Sequence, residues 1–150
     1  MPEASYDVIA VVGGLHHVVN HLDAVMSNIH AALKPGGILV MMEPNAKYFL
    51  ELVRRIWYRM DPLFDEKNEA AIAYPRFLER YESLFEEVNV RYAGGPAYYL
   101  VLSSLVLRVP HRLKRLYSPA FIASQTVWNK LPRPQFHAFF VAQWRRHTDG

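Results

Sequence analysis

Cysteine is absent from this chain of 150 residues, which excludes disulfide bonds and thiolate metal sites. The longest apolar run, residues 97–107, is too short to cross a bilayer, because a membrane-spanning helix takes about 20 residues. Residues 1–5 carry neither the basic start nor the apolar run of a signal peptide, so we expect a cytoplasmic protein. Hydrophobic residues make up 51% of the chain, which predicts a packed core rather than a disordered chain. The length fits one domain or part of one.

Acidic residues are nearly absent from the C-terminal part of the chain. Residues 1–90 hold 8 Lys/Arg and 13 Asp/Glu, a net charge of −5, whereas residues 91–150 hold 9 and 1, a net charge of +8. Beside the apolar run lie four cations, Arg108, Arg112, Lys114 and Arg115. Such a pattern could bind a hydrophobic anionic ligand, an anionic membrane surface or nucleic acid. Alternatively, it is only a solvated face that the acidic half balances.

The segment from residue 6 to residue 45 has the pattern of a strand, a tight loop, a helix, a turn and a second strand. Residues 6–12 (YDVIAVV) are apolar at nearly every position, as in a strand buried on both faces of a parallel sheet. The predicted helix at 20–33 begins at Asn20 and ends at Lys34-Pro35-Gly36-Gly37, before the apolar run at 38–42. Ligands of such βαβ units bind beyond the carboxyl ends of the strands, so residues 13–17 and 43–45 should lie side by side there.

Two parts of this segment together resemble a known family. YDVIAVVGGLHHV, then about a dozen helical residues, then ALKPGGILVMMEPN are similar to class I S-adenosylmethionine-dependent methyltransferases of the small-molecule branch. The matching parts are the family's fourth strand, the helix after it, the LKPGG turn and the fifth strand ending in Glu-Pro-Asn. The close similarity covers residues 6–45, and a looser one continues to the C-terminus.

The resemblance implies an α/β fold: the C-terminal half of a Rossmann-like methyltransferase sheet, strands four to seven, with a helical pair inserted before a last, antiparallel strand. It implies a single partial domain over residues 1–150, with the helical insertion at 96–130. The four strands of this chain should lie in the order first, second, fourth, third.

The same resemblance shows which parts of the family are missing. In the family, the first strand ends in a glycine-rich loop that approaches the cofactor, and the second ends in an acid that holds the ribose. None of the seven glycines of this chain belongs to a G-x-G-x-G segment. We therefore expect the chain to lack the N-terminal cofactor-binding half. Alone, it should bind S-adenosylmethionine weakly or not at all and transfer no methyl group.

The remaining elements are predicted from apolar periodicity and turn residues. In chain order they are helices at 46–60 and 75–85, a strand at 88–92, helices at 97–108 and 119–130, and a strand at 136–144. The tyrosines and valines of 97–108 would also suit a strand. Pro75 and Ser118-Pro119 mark two helix starts, because proline fits the first turn of a helix.

Two histidines of the loop are the candidate catalytic residues that the resemblance implies. His16 and His17 would lie where the methyl group arrives, and either could be the general base for a hydroxyl or phenol acceptor. The alternative is that one ring only shapes the loop. Spacing would also allow a metal site at His17, His21 and Asp23, but His17 precedes the helix and no third ligand is compelling, so we predict no metal.

Five neighbours of the histidines are candidate binding residues. Gly13 and Gly14 would let the backbone approach the methionyl part of the cofactor, or they only form the turn. Leu15 would pack beneath the cofactor. Glu43 and Asn45 would face the methyl acceptor, or they cap the next helix.

Two functions of different classes remain open. The chain is either the acceptor-side part of a methyltransferase for a small hydrophobic molecule, or a non-catalytic, methyltransferase-like binding or interaction module. Nucleic acid is not expected as a substrate, because methyltransferases of base amino groups carry an Asn/Asp-Pro-Pro-aromatic loop where residues 13–16 are Gly-Gly-Leu-His. Self-association is expected through the strand at 6–12, because an apolar edge strand invites pairing.

Overall fold

The structure, a computed structural model, describes residues 2–52, 56, 70–102 and 109–148. Its strands and helices, in chain order, are β1 (Tyr6–Val12), α1 (Leu22–Ala32), β2 (Leu33–Pro44), α2 (Tyr74–Tyr81), β3 (Phe85–Ala93), α3 (His111–Trp128) and β4 (Phe139–Arg146). Short 3-10 turns lie at Leu15–His17, Val19–His21 and Pro134–Phe136, and a π-helical turn at Tyr98–Leu102.

The strands form one mixed sheet in the order β1-β2-β4-β3. β1 runs parallel to β2, whereas β4 is antiparallel to both of its neighbours, β2 and β3. The predicted strand order and the antiparallel last strand are therefore confirmed. The last strand of the chain lies inside the sheet.

The core lies on the face of the sheet that α1 and α2 cover. Met26 of α1 and Leu39, Phe140 and Trp144 of the sheet are each 0% exposed and belong to one apolar cluster. Phe77 of α2 stacks on the Trp144 ring, with centroids 4.9 Å apart. Burial of side chains of this size contributes about 1.5–3 kcal/mol each, so these contacts hold both helices on the sheet.

The edge strand β1 has one uncovered face. In the described part of the chain, β1 pairs only with β2. Its alternate side chains Tyr6, Val8 and Val12 are 40%, 55% and 74% exposed, whereas Ile9 and Val11 pack against the core. The sequence predicts that β1 is buried on both faces, but only one face of β1 is buried.

The first helix and turn differ from the prediction at their ends. α1 begins at Leu22 after a 3-10 turn, and His21, not Asn20, is the residue before it. The predicted turn at 34–37 is a bulge inside β2: Tyr6 pairs with Leu33 and Val8 with Ile38. Glycine is needed there, because a Cβ at Gly37 would lie 2.9 Å from the carbonyl of Lys34.

The predicted helix start at Ser118-Pro119 is wrong, because α3 already begins at His111 and continues through Pro119. Proline has a helical φ, so it costs the helix mainly one hydrogen bond and some strain. Contacts on both sides of it hold the helix: the Tyr117 hydroxyl donates to the carbonyl of Leu100 (2.8 Å), and the Trp128 indole N–H to that of Phe136 (2.7 Å).

The other predicted elements are shifted or only partly described. The helix predicted at 75–85 ends at Tyr81, and the strand predicted at 88–92 already begins at Phe85. The predicted helix at 97–108 begins with the π-helical turn at Tyr98–Leu102, and residues 103–108 lie outside the described residues. Of the predicted helix at 46–60, residues 51, 52 and 56 are helical, whereas 53–55 and 57–60 lie outside them. β4 starts at Phe139 rather than at residue 136, because Pro134–Phe136 form a 3-10 turn.

None of the helices in the described parts of the chain is long and apolar enough to cross a membrane.

Candidate functional site

The loop after β1 turns at Gly13 and then forms the 3-10 turn Leu15–His17. Gly13 has a φ of 62°, a conformation that favours glycine. Its N–H donates to the carbonyl of Met42 (2.8 Å), which joins the carboxyl ends of β1 and β2. The loop and the end of β2 therefore lie side by side, as the strand pattern predicts.

Glu43, near the end of β2, is buried beneath this loop with a side-chain exposure of 0%. Its Oε1 accepts hydrogen bonds from the N–H groups of Gly14 (2.9 Å) and Leu15 (2.8 Å), and its Oε2 accepts one from the N–H of His16 (3.3 Å). A buried carboxylate is costly unless several donors compensate its charge. The start of the 3-10 turn supplies those donors, so Glu43 fixes the shape of the loop.

The His16 ring is the fourth partner of this carboxylate. Its Nδ1 lies 2.7 Å from Glu43 Oε2, and 12% of the His16 side chain is exposed. An ionised carboxylate only accepts hydrogen bonds, so we assign the proton to Nδ1, which leaves the lone pair on Nε2. His17 is more exposed, and its ring centroid lies 4.0 Å from that of His16. The structure thus distinguishes two histidines that the sequence treats alike.

Leu15 belongs to the protein core. It is 1% exposed and lies in the same apolar cluster as Met26 and Leu39. Its side chain anchors the loop from below, and only its backbone lies at the rim.

Asn45 is also buried, with 1% exposure, and joins three segments of the chain. Its Nδ2 donates to the carbonyls of Pro134 (2.8 Å) and His137 (2.9 Å), and its Oδ1 accepts from the N–H of Lys47 (3.0 Å). The end of β2 is thereby fixed against the segment that leads into β4. The contact with Lys47 is the kind of local turn that the capping alternative describes.

His137 is a buried residue at this end of the sheet that the sequence analysis did not single out. It is 2% exposed, its Nε2 lies 2.9 Å from the carbonyl of Leu131, and its Nδ1 has no hydrogen-bond partner among the residues that the structure describes. The only signal in the sequence is its position between apolar residues, which predicts burial but no contact.

Asp23, part of the rejected metal pattern, bonds to α2 instead. It accepts from the Tyr81 hydroxyl (2.8 Å) and from Arg80 (2.5 Å), and these two contacts lower the pKa of Asp23. Within the described ranges, no group of three His, Asp or Glu side chains could hold a metal ion.

The part of the chain that forms this site is similar to a known protein family. Residues 1–89, which include the loop and Glu43, match the family described as "Methyltransferase domain". The chain belongs to this methyltransferase family. No curated protein matches the chain.

Solved structures of S-adenosylmethionine-dependent methyltransferases share the fold. One from Archaeoglobus fulgidus is 16% identical and has a TM-score of 0.56; the alignment covers 97% of this chain and 61% of the Archaeoglobus chain. One from Thermotoga maritima is 14% identical, with a TM-score of 0.61 over 97% and 58%. One from Mesorhizobium loti is 15% identical, with a TM-score of 0.56 over 97% and 64%. This methyltransferase chain therefore spans less than two thirds of each of these structures.

The predicted fold class is confirmed by these similarities. The order β1-β2-β4-β3 with an antiparallel β4 corresponds to strands four, five, seven and six of the methyltransferase sheet. The loop Gly13–His17 thus follows the family's fourth strand, and Glu43 lies near the end of the fifth. S-adenosylmethionine is the cofactor on which the matched enzymes depend.

Proposed function

We propose that this chain is the acceptor-side part of an S-adenosylmethionine-dependent methyltransferase that acts on a small hydrophobic molecule, with His16 as general base. The pairing of the Glu43 carboxylate with His16 Nδ1 at 2.7 Å carries the proposal. It lies at the carboxyl ends of β1 and β2, the end of such sheets where ligands bind.

The pair is suited to removing a proton from a hydroxyl or phenol acceptor. Nε2 of His16 takes the proton as the acceptor oxygen is alkylated, and the Glu43 carboxylate stabilises the imidazolium that forms. S-adenosylmethionine, when bound, supplies the electrophilic methyl group. Because Glu43 and Asn45 are buried and bonded within the chain, we propose that they position the site rather than contact the acceptor.

The loop fits one edge of the cofactor. Among the described residues other than its two chain neighbours, only His16 Cε1, at 3.7 Å, lies within 4 Å of a Cβ placed on Gly13, so a ligand can approach the backbone closely there. The N–H groups of Gly14, Leu15 and His16 already donate to Glu43 and are not donors for a ligand. With no G-x-G-x-G segment in the sequence, we propose that this chain alone holds the cofactor weakly.

The hydrophobic nature of the acceptor is supported by a groove on the C-terminal part of the fold. It has a volume of about 460 Å³ and is lined by Leu100, Val109, Leu113, Leu116, Tyr117 and Phe121. A surface of this kind binds apolar molecules in preference to polar ones.

The second candidate function is a methyltransferase-like module without activity. Three N–H groups of the loop donate to the Glu43 carboxylate, so the loop keeps its shape without a ligand. This observation favours the inactive module. The two candidates differ in whether the loop responds to the cofactor.

Titration of the 150-residue chain with S-adenosylmethionine, followed by calorimetry and by NMR of the backbone amides, separates the two. We expect a dissociation constant weaker than about 1 mM, because each missing hydrogen bond costs about 1–3 kcal/mol. Shifts should be confined to the amides of residues 13–17. Micromolar affinity would show that the chain holds a complete cofactor site, whereas an unresponsive loop at saturating concentrations would favour the inactive module.

The base is tested in a protein that also contains the cofactor-binding half. If the coding sequence upstream of Met1 encodes a G-x-G-x-G segment, the joined protein should transfer methyl groups. His16→Ala should then lower turnover on a hydroxyl acceptor about 100-fold or more and flatten its pH profile. His17→Ala is the matched control and should retain most of the turnover. Equal losses in both variants would contradict the assignment.

A further inference from the structure

The helix α3 carries an apolar stripe on its outward face. We call Leu113, Leu116 and Val127, which are 52%, 81% and 69% exposed, the outer stripe. At 3.6 residues per turn, these side chains lie within about 60° of one another around the helix. Three large apolar side chains therefore point into solvent from one side of an 18-residue helix.

The opposite face of α3 already attaches the helix to the protein. Lys114 Nζ donates to the carbonyl of Val101 (3.2 Å), and the Tyr117 hydroxyl to that of Leu100 (2.8 Å). Further along, Gln125 Oε1 accepts from the N–H of Gly95 (3.1 Å) and the Trp128 indole donates to Phe136. The outer stripe is therefore not needed to hold α3 in place.

The outer stripe continues into the apolar groove. Leu113 and Leu116 line both, and the groove lies between α3 and the turn at Tyr98–Leu102. The carbonyls of Leu100 and Val101 are bonded to α3, as described above. The apolar surface therefore includes both the exposed stripe and the groove beside it.

The charged side chains of α3 and of the sequence on either side of it have one sign. α3 contains no Asp or Glu, and the sequence has none from residue 88 to residue 148. Arg112 and Arg115 are exposed on α3 itself. An anionic partner is favoured, because no carboxylate in this part of the sequence opposes it.

We propose that α3 docks on an anionic lipid bilayer, with the outer stripe in the outer acyl region and Arg112 and Arg115 among the headgroups. A helix with large apolar residues on one side and cations beside them is typical of helices that lie in the plane of a membrane interface. Leu116, at 81% exposure, lies at the open edge of the groove, where it can enter a bilayer. This docking does not involve His16 or Glu43, but it shares Leu113 and Leu116 with the groove described above.

Flotation of the full chain with vesicles tests the proposal, because aggregates do not float. Vesicles of phosphatidylcholine alone are compared with vesicles that also contain phosphatidylserine. We expect about 25-fold stronger binding to the anionic vesicles at low salt, since each surface cation contributes about fivefold. High salt should remove the difference, because the Debye length falls to about 3 Å at 1 M.

Matched variants on the same helix separate the apolar and charged contributions. Leu116→Ser should weaken binding to anionic vesicles about tenfold or more. Ile122→Ser should not, although Ile122 is 51% exposed, because it points about 120° away from Leu116. Arg112→Gln with Arg115→Gln should abolish the preference for anionic lipid, whereas Arg76→Gln on α2 should preserve it. Circular dichroism checks that each variant is folded.

Three results would overturn the proposal. Equal binding to neutral and anionic vesicles would show that the cations do not contribute. Equal effects of Leu116→Ser and Ile122→Ser would show that the outer stripe is not the face that contacts the bilayer. A dimer in sedimentation equilibrium that Leu116→Ser dissociates would assign the outer stripe to a second copy of the chain.

Discussion

Glu43→Gln keeps the size of the side chain but removes the charge that four donors share. The glutamine oxygen should face the N–H groups of Gly14 and Leu15, because the opposite orientation would set its NH₂ against both donors. Those two bonds lose their charge assistance, about 0.5–1.5 kcal/mol each, and the bond from the N–H of His16 is lost at about 1 kcal/mol. We expect the free energy of unfolding to fall by about 2–4 kcal/mol.

The same substitution should move a proton on His16. The NH₂ of the glutamine would point at Nδ1 and can donate to it only if that nitrogen carries no proton. The proton then resides on Nε2, so the ring keeps its place but can no longer accept a proton at that nitrogen. Glu43→Gln therefore separates the position of His16 from its capacity as a base.

Urea unfolding measures the first effect, and ¹H–¹⁵N spectra of the histidine side chains measure the second. The control is Glu86→Gln on β3, whose ion pair with Arg145 (3.2 Å) is exposed. It should cost less than about 1 kcal/mol. The reasoning is refuted if Glu43→Gln is as stable as this control, or if His16 of the unmutated protein carries its proton on Nε2.

Three further predictions concern the helices, the edge strand and the loop. Contacts with Tyr81 and Arg80 lower the pKa of Asp23, so their stabilisation is present above its unfolded pKa of about 3.9 and is lost as the pH falls through the lower folded value. The difference in urea midpoint between the protein and Asp23→Asn should thus persist from pH 7 to about pH 4 and narrow below it; a constant difference would contradict the assignment. Val8→Lys, at a position that is 55% exposed on β1, should reduce self-association in light scattering, and a protein that is already monomeric at high micromolar concentration would argue against pairing through this strand. Gly13→Ala should cost about 1–2 kcal/mol in urea unfolding, since φ is 62° but, beyond the two chain neighbours, no atom of the described residues would lie nearer than 3.7 Å to the new Cβ; an unchanged midpoint would show that the turn relaxes.

The arrangement of the sheet could be predicted because its signals are local and strong. β1 and β2 appear as apolar runs on either side of one amphipathic helix, and a short loop and turn connect the three. The family resemblance of these segments then supplied the place of the antiparallel strand. The ends of elements were less predictable: Ser118-Pro119 looks like a helix start, but contacts of Tyr117 and Trp128 hold one helix across it.

The candidate site was predictable in its position but not in its contacts. Strand ends placed His16, His17 and Glu43 together. The bonds from the loop to Glu43 cross 27 to 29 residues of sequence, and no local pattern encodes them. Whether Glu43 faces a ligand or the backbone depends on where the first N–H groups of a 3-10 turn point, which only the fold determines.

The central place of β4 affects how the chain is made. Ile38 pairs with Arg145, so one edge of β2 cannot pair until the far end of the sequence has been synthesised. At about 5–20 residues per second, roughly 5 to 20 s pass between the synthesis of these two strands. During that time one edge of β2 is unpaired, and β3, once it is synthesised, also lacks β4, so both strands are exposed to chaperones and to aggregation. A premature stop shortly before β4 would leave the β1–β2 pair and a separate β3, with no strand to connect them.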